Sequence, residues 1–226
     1  MKEENSEAIV LRSFDYQEHQ RIITLFTPDS GLIQLIVKGI NQKNLHLFSL
    51  TTVFCRGHYH FIRGRSDLYR YLDGSCLELL PLRDNLIHLR AAASITKALL
   101  HSQLPGKPSP RLYALTLAYL KQIPLFDDPA PLVVSYQLKL LKHDGLTHLR
   151  APCSLCANEA SHLNKGQALC LSHAVPDSFF FTHHEWSTLI ELQDSRQFES
   201  LKQVAIGPHL QEKIENYFSN RIRQFV

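Results

Sequence analysis

Four residues in the second half of the chain have the types and spacing to hold a metal ion. They are Cys153, Cys156, Cys170 and His173, in the pattern C-x2-C-x13-C-x2-H. Two short-spaced pairs separated by a loop let each pair supply its donor atoms from one tight turn, so that all four reach one point. Asn158, Asn164 and Gly166 suit the turns between them. Three thiolates and an imidazole are a donor set for tetrahedral Zn²⁺, and four protein ligands leave no open position for water or substrate. The expectation is one structural zinc per chain, with His162 as the alternative to His173. His183 and His184 read more simply as helix-start residues. A redox use of CSLC needs a strand leading into a helix N-terminus. Here a helical stretch and Pro152 precede it.

No catalytic constellation accompanies the cysteines. The chain has no G-x4-G-K-[ST] phosphate loop, no G-x-S-x-G elbow and no H-E-x-x-H. THHEW puts two histidines side by side, and adjacent histidines on a helix do not converge on one metal as i, i+4 histidines do. The 13 histidines are spread along the chain. The expectation is a protein that is not an enzyme.

The elements that must position these residues follow from composition and pattern. With 226 residues, 44% hydrophobic and 20% charged, the chain is long enough for one large domain or two small ones with real cores. No stretch approaches the roughly 20 apolar residues of a membrane helix. The acidic start MKEENSEAIVLRSFDYQ lacks the basic end and apolar block of a secretion signal. A cytoplasmic location without membrane contact is the expectation. Five cysteines are an odd number, with Cys55 and Cys76 far from the rest, which argues against a secreted disulfide framework. The net charge of +3 is small. Its distribution says more: from Leu32 to Leu72 six basic residues, Lys38, Lys43, Arg56, Arg63, Arg65 and Arg70, face the single acid Asp67, a local +5.

The first third reads as about five short strands. EAIVLRSF is rich in branched residues, RIITLFTPDSGLIQLIVKG has two apolar runs around a turn, and LTTVFCRGHYHFIRG and DLYRYLDG follow, with no helix of any length between them. A small antiparallel barrel fits. Near Pro81 the period changes. Leu82, Leu86, Leu89, Ala93 and Leu100 share one helical stripe. RLYALTLAYLKQ and LVVSYQLKLLKHDG carry two more, and Gly145 is a helix stop. THHE reads as a capping box from Thr182 to Glu185, and the tail from His209 as a docked amphipathic helix. The expected architecture is α+β. An N-terminal antiparallel β-barrel over residues 1–80 precedes an α-helical domain over residues 81–226, with a zinc-finger insertion at about residues 150–176.

IVLRSFDYQEHQRIITLFTPDSGLIQLIVKG closely resembles the opening of the bacterial RecO proteins. The shared features are the LRS-x-DY strand, the R-I-x-T-L-F-T-P-x-x-G hairpin and the KG that ends it. The later order agrees as well, from a proline-marked switch to helices, through a helix ending K-H-D-G-L, to a short loop into C-x2-C. The resemblance covers essentially the whole chain. It is specific in the first 40 residues and in the order of parts, and loose through the helices.

The resemblance implies an OB-fold, a helical domain and a zinc finger. It implies a DNA repair and recombination protein without catalytic residues, which binds single- and double-stranded DNA and anneals complementary strands. With RecR such proteins help load the RecA recombinase onto DNA covered by single-strand-binding protein, whose acidic C-terminal tail they contact. A nucleoid-associated location goes with that role. An OB barrel binds strands through a basic groove with aromatic platforms. The cations expected on DNA are Lys38, Lys43, Arg56, Arg63, Arg65 and Arg70, with Arg12 on the neighbouring strand. Phe54, Tyr59, Phe61, Tyr69 and Tyr71 read first as core, with Tyr59, Tyr69 and Tyr71 the exceptions that can serve as platforms. Many relatives follow the KG with a basic cluster, and here KGINQKNLH offers only Lys38, Lys43 and His46. For the acidic tail, a slot between two helices is expected near some of Arg90, Lys97, Arg111, Lys121, Lys139, Lys142 and Arg150. Two other readings use the same parts: a zinc-containing OB-fold factor of transcription or RNA metabolism, and an enzyme with an unrecognised site.

Overall fold

The computed structural model describes residues 3–41, 43–64 and 68–224. Strands β1 (Glu3–Gln17), β2 (Gln20–Thr27) and β3 (Gly31–Lys38) form an antiparallel meander. A short helix α1 (Leu45–Leu50) then leads into β4 (Cys55–Arg63) and β5 (Leu68–Leu79), which pair antiparallel. The sheet closes in the order β1-β2-β3-β5-β4, with β4 returning to β1. Closure differs from the expected all-antiparallel pattern in one place, because β3 and β5 run parallel over Gln34–Ile36 and Leu68–Arg70. β1 pairs with both β2 and β4, and bulges between Val10 and Arg12 and between Asp15 and Gln17 interrupt its register with β2. Alternation supplies the core: Ile23, Leu25, Ile33, Leu35 and Val37 point inward beside Ala8, Val10, Tyr59 and Phe61.

Helix α1 was not expected from the sequence. It is six residues long and starts where the Asn44 side chain accepts from the Leu47 backbone N–H. Its buried residue, Leu50, packs where β4 and β5 come closest. A Cβ on Gly57 would meet the Ser75 carbonyl at 2.6 Å and Leu50 at 3.2 Å, and one on Gly74 would meet the His58 carbonyl at 2.5 Å and Leu50 at 3.2 Å. The two glycines therefore leave the space that Leu50 and the opposite strand fill. The Tyr59 hydroxyl donates to the Leu50 carbonyl at 2.8 Å and completes the attachment. Gly57→Ala is expected to destabilise the protein by about 1–3 kcal/mol through overpacking. Urea unfolding checks this: the midpoint should fall while the slope is unchanged.

After the barrel come α2 (Leu86–Ser102), α3 (Pro110–Gln122) and α4 (Ala130–His143). A small sheet of β6 (His162–Asn164), β7 (Gln167–Leu169) and β8 (Phe179–Phe180) follows, and α5 (His183–Asp194), α6 (Phe198–Leu201) and α7 (Pro208–Arg223) complete the chain. The compact units do not follow a linear division at residue 80. One unit is Met1–Asn85 with Gln103–Lys121, and the other is Leu86–Ser102 with Gln122–Val226. Helix α3 thus belongs with the barrel. The segment leading to it is stitched there by Gly106 N–H to the Leu32 carbonyl at 2.9 Å and Ser109 N–H to the Pro28 carbonyl at 3.1 Å. Its Tyr113 donates to Glu7 at 2.7 Å and packs on Phe26 at 5.8 Å between ring centroids. Its Lys121 pairs with Glu78 at 2.6 Å.

In the second unit α4 is the central helix, and every residue from Pro131 to Leu138 is buried. It packs against α2, α5 and α7. The Ser135 hydroxyl donates to the Leu192 carbonyl at 2.6 Å, and the Trp186 indole N–H to the Arg150 carbonyl at 3.2 Å. The expected capping box of α5 is present: Thr182 accepts from the Glu185 N–H, and the Glu185 carboxylate accepts from the Thr182 N–H. Among the described residues no helix is long and apolar enough to cross a membrane.

Candidate metal centre and nucleic-acid interface

The loop after α4 and the β6–β7 hairpin build one side-chain cluster between them. Cys153 is held by its N–H on the Asn158 carbonyl at 2.8 Å, and the next N–H, of Ser154, reaches the Ala168 carbonyl on β7 at 2.7 Å. The hairpin turns at Lys165 and Gly166, both with positive φ. At Gly166 a Cβ would lie 2.2 Å from the Leu146 carbonyl, so this turn is restricted to glycine twice over. Cys170 follows β7 directly. A 3-10 turn from Leu171 to His173 then folds the imidazole back, with the His173 N–H on the Cys170 carbonyl at 3.0 Å.

The result is that Cys153, Cys156, Cys170 and His173 turn their donor atoms to one point, all within 4.8 Å of one another. His173 Nδ1 lies 3.6 Å from Cys153 Sγ, 3.6 Å from Cys156 Sγ and 3.3 Å from Cys170 Sγ, and the last two sulfurs are 3.7 Å apart. Four donors around a tetrahedral ion at ordinary Zn–S and Zn–N distances stand roughly 3.4–3.8 Å apart. The group fits a metal ion in number, donor type and size. At Cys153 burial opposes ionisation, but the backbone N–H groups and the His173 imidazole outweigh it and bring the thiol down to about 6. His162, the alternative ligand, is not in the group. Its Nδ1 is 2.9 Å from the Ser161 hydroxyl, its ring packs on Phe180, and burial lowers its pKa.

The expected DNA-contact residues separate into three sets. The register puts Phe14, Ile22, Ile36 and Arg70 side by side across β1, β2, β3 and β5, with Arg12, Thr24, Gln34 and Leu68 in the next row and Gln20 beside Lys38. Ile23, Leu35 and Val37 point into the core, so these rows point outward. On this outer face Arg12, Lys38 and Arg70 are exposed around Phe14, while Ile22 and Thr24 on the central strand are buried. Lys43 and Arg63 are exposed elsewhere. Lys43 sits in the turn after β3, held by its N–H on the Asn41 side chain. Arg63 stands opposite Tyr69 at the end of β4. Arg65 lies outside the described residues.

Arg56 does not belong with these cations. Its guanidinium grips both oxygens of Glu7, at 2.7 and 3.0 Å, and Glu78 at 2.8 Å. Through Tyr113 on Glu7 and Lys121 on Glu78, the same network fastens α3 to the barrel. Both carboxyls are held below the usual range, Glu7 chiefly by Arg56 and Glu78 chiefly by Lys121. A phosphate would have to compete with two carboxylates for this guanidinium.

The aromatic expectations also change. Tyr59 is fully buried, and Tyr69 and Tyr71 pack partly buried against the barrel core. Among the described residues of the barrel the exposed rings are Phe14, Tyr16 and Phe48, none of them among the expected platforms. The signal for two of them was present in SFDYQ, where each ring is flanked by polar residues at a hairpin tip. Arg21 stacks over Phe48 at 4.9 Å and bonds Asp15 at 2.7 Å.

Comparison with known families decides the relationship. The model of the recombination protein O N-terminal region matches residues 1–80, and that of its C-terminal region matches residues 83–212. The chain belongs to the recombination protein O family. This is a family of DNA repair and recombination proteins. Among its members, the DNA repair protein RecO of Chlamydia pneumoniae is 29% identical over 217 residues, 94% of this chain and 86% of that protein. The RecO protein of Listeria monocytogenes serotype 4a is 28% identical over 162 residues, 71% of this chain and 63% of its own. That of Moorella thermoacetica is 30% identical over 155 residues, 68% of this chain and 57% of its own. The chain thus spans less than two thirds of the latter two relatives. The N-terminal match ends at residue 80, and β5 ends at Leu79.

Proposed function

We propose that this protein is a recombination mediator that works by binding and without a catalytic centre. It binds single- and double-stranded DNA, anneals complementary strands, and together with RecR helps load RecA onto DNA coated by single-strand-binding protein. The observation that carries this reading is the outer barrel face with exposed Arg12, Lys38, Arg70 and Phe14, in a chain of the recombination protein O family. Cations on a curved sheet neutralise phosphates without reading bases, and an exposed ring can stack on any base. Neutralising two strands at once lowers the repulsion that opposes annealing.

The four-donor cluster holds one Zn²⁺ in this proposal, in a structural role. Cys153, Cys156, Cys170 and His173 would hold it, and the bound ion would tie the loop after α4 to the β6–β7 hairpin. For the acidic tail of single-strand-binding protein, the helical unit remains the proposed site. Lys142 and Lys139 are poor candidates as free cations there, because Lys142 pairs with Asp194 at 2.7 Å and Lys139 donates to the Ser195 carbonyl.

The test is strand annealing with purified protein and no nucleotide, followed by RecA filament formation on gapped DNA coated by single-strand-binding protein, with and without RecR. The expected result is annealing without nucleotide and faster RecA loading only when RecR is present. DNA binding with neither activity would favour a general nucleic-acid-binding factor. Turnover of any nucleic acid would favour an enzyme.

A further inference from the structure

Two cysteines outside the metal group lie together in the barrel. Cys55 opens β4, and Cys76 sits in β5 beside a register shift. In that shift Arg56 opposes Glu78 and Gly57 opposes Cys76, which leaves Leu77 as the extra residue. Leu77 is exposed, whereas Cys76 packs against the barrel core with Cys55. A bulge re-aims side chains in this way. The consequence is a sulfur–sulfur distance of 3.2 Å, with the Cys55 thiol donating to Cys76. Both are free thiols, Cys55 fully buried and Cys76 half-buried.

We infer that Cys55 and Cys76 are a paired oxidation site, which a hydroperoxide converts to a reversible disulfide between β4 and β5. The accessible sulfur reacts first. Cys76 attacks one peroxide oxygen, the O–O bond breaks, and a sulfenic acid forms with release of water. The Cys55 sulfur then attacks the sulfenic sulfur, forms the S–S bond and expels the second water, which carries away the thiol proton. Two thiols lose two electrons in all, and one hydrogen peroxide becomes two waters. Burial, and then the neighbouring Cys76 thiol, push the Cys55 thiol up to about 12, so Cys55 is a poor first nucleophile toward peroxide and gives up its proton only as its sulfur attacks the sulfenic sulfur. Closing the bond requires the sulfurs to approach from 3.2 Å to about 2.05 Å. The new covalent loop would span the β4–β5 connection, between the strand ends that carry Arg63 and Arg70. A dithiol reductant would reopen it by exchange.

Peptide mapping of the folded, full-length protein tests this. The protein is treated with hydrogen peroxide, alkylated, digested and read by mass spectrometry. The expected product is one peptide pair joined through residues 55 and 76, two hydrogens lighter than its parts and lost on dithiothreitol treatment. In Cys76→Ser the joined pair should fall to background. In Cys55→Ala the reaction should stop at a sulfenic acid on Cys76, trapped by dimedone. Because Cys55 is fully buried and its variant can fail to fold, the half-buried Cys76 variant carries the test alone if needed. Cys55 and Cys76 both still alkylatable after unfolding, while Cys153, Cys156 or Cys170 has been oxidised, would overturn the inference. Joining of either residue to a cysteine of the metal group would overturn it too.

Discussion

Replacing Cys170 with serine, or stripping the metal with a chelator, is expected to disorder residues from about Pro152 to Pro176 and to leave the barrel folded. The size of the effect follows from what else holds that segment. Its own apolar cluster is small: Cys153, Leu169 and Cys170, with Cys156 packed against them. Three of those four residues are buried, yet all but Leu169 are members of the donor group. The strands of its hairpin are three residues each, too short to persist alone. A structural zinc contributes apparent binding energy of about 10–16 kcal/mol, more than the usual stability of a whole domain. Without the ion, three thiols and an imidazole at 3.3–3.7 Å contribute little, and the buried Leu163 and Ala168 with a few backbone hydrogen bonds must oppose the chain entropy of the loop. The barrel has its own closed sheet and core, so the loss stays in the second unit. Metal analysis should give one zinc per chain in the parent protein and a fraction of that in Cys170→Ser, with new protease cleavage between the two prolines. Full metal content in both Cys153→Ser and Cys170→Ser would refute the assignment.

That donor group was legible because its signal is local. Two pairs, each within three or four positions, constrain their own geometry, and only the loop between them had to fold back. The capping box at Thr182 and Glu185 and the periodic helices are local in the same sense. The parts that the sequence concealed all depend on distant partners. Nothing near β3 announces that it pairs parallel with β5 across more than 30 intervening positions. Helix α1 has six residues and no amphipathic repeat to reveal it. Tyr59 looks like a surface ring among HYHF until Leu50 is placed against its hydroxyl. Arg56 looks like one more cation in a basic segment until Glu7, 49 positions away, closes on it. Charge counted along the chain cannot separate a paired guanidinium from a free one; only the register of β1 and β4 does that.

The separation of those two kinds of cation gives the sharper test of DNA binding. Arg12, Lys38 and Arg70 share the outer face of the barrel and are exposed, and each that touches phosphate releases counterions. For single-stranded DNA one contact contributes about −0.7 to the slope of log K against log salt. The triple variant Arg12→Ala, Lys38→Ala, Arg70→Ala should therefore flatten the slope by about 2 units if all three touch phosphate. Its folding stability should stay within about 0.5 kcal/mol of the parent, because exposed cations contribute little to folding. Arg56→Ala should behave in the opposite way. It leaves Glu7 and Glu78 without their shared partner beneath α3, at a cost of about 1–3 kcal/mol, and the salt slope should be nearly unchanged. Part of that cost is itself pH-dependent. Both carboxyls lie below their usual range in the folded state, so the stabilisation is present above the unfolded-state values and is lost as pH falls through the folded ones. Salt titrations with a mixed-sequence oligonucleotide, run beside urea unfolding of the same proteins, read both quantities. An unchanged slope in the triple variant would move the DNA site off this face, and a slope that flattened in Arg56→Ala at unchanged stability would return that residue to it.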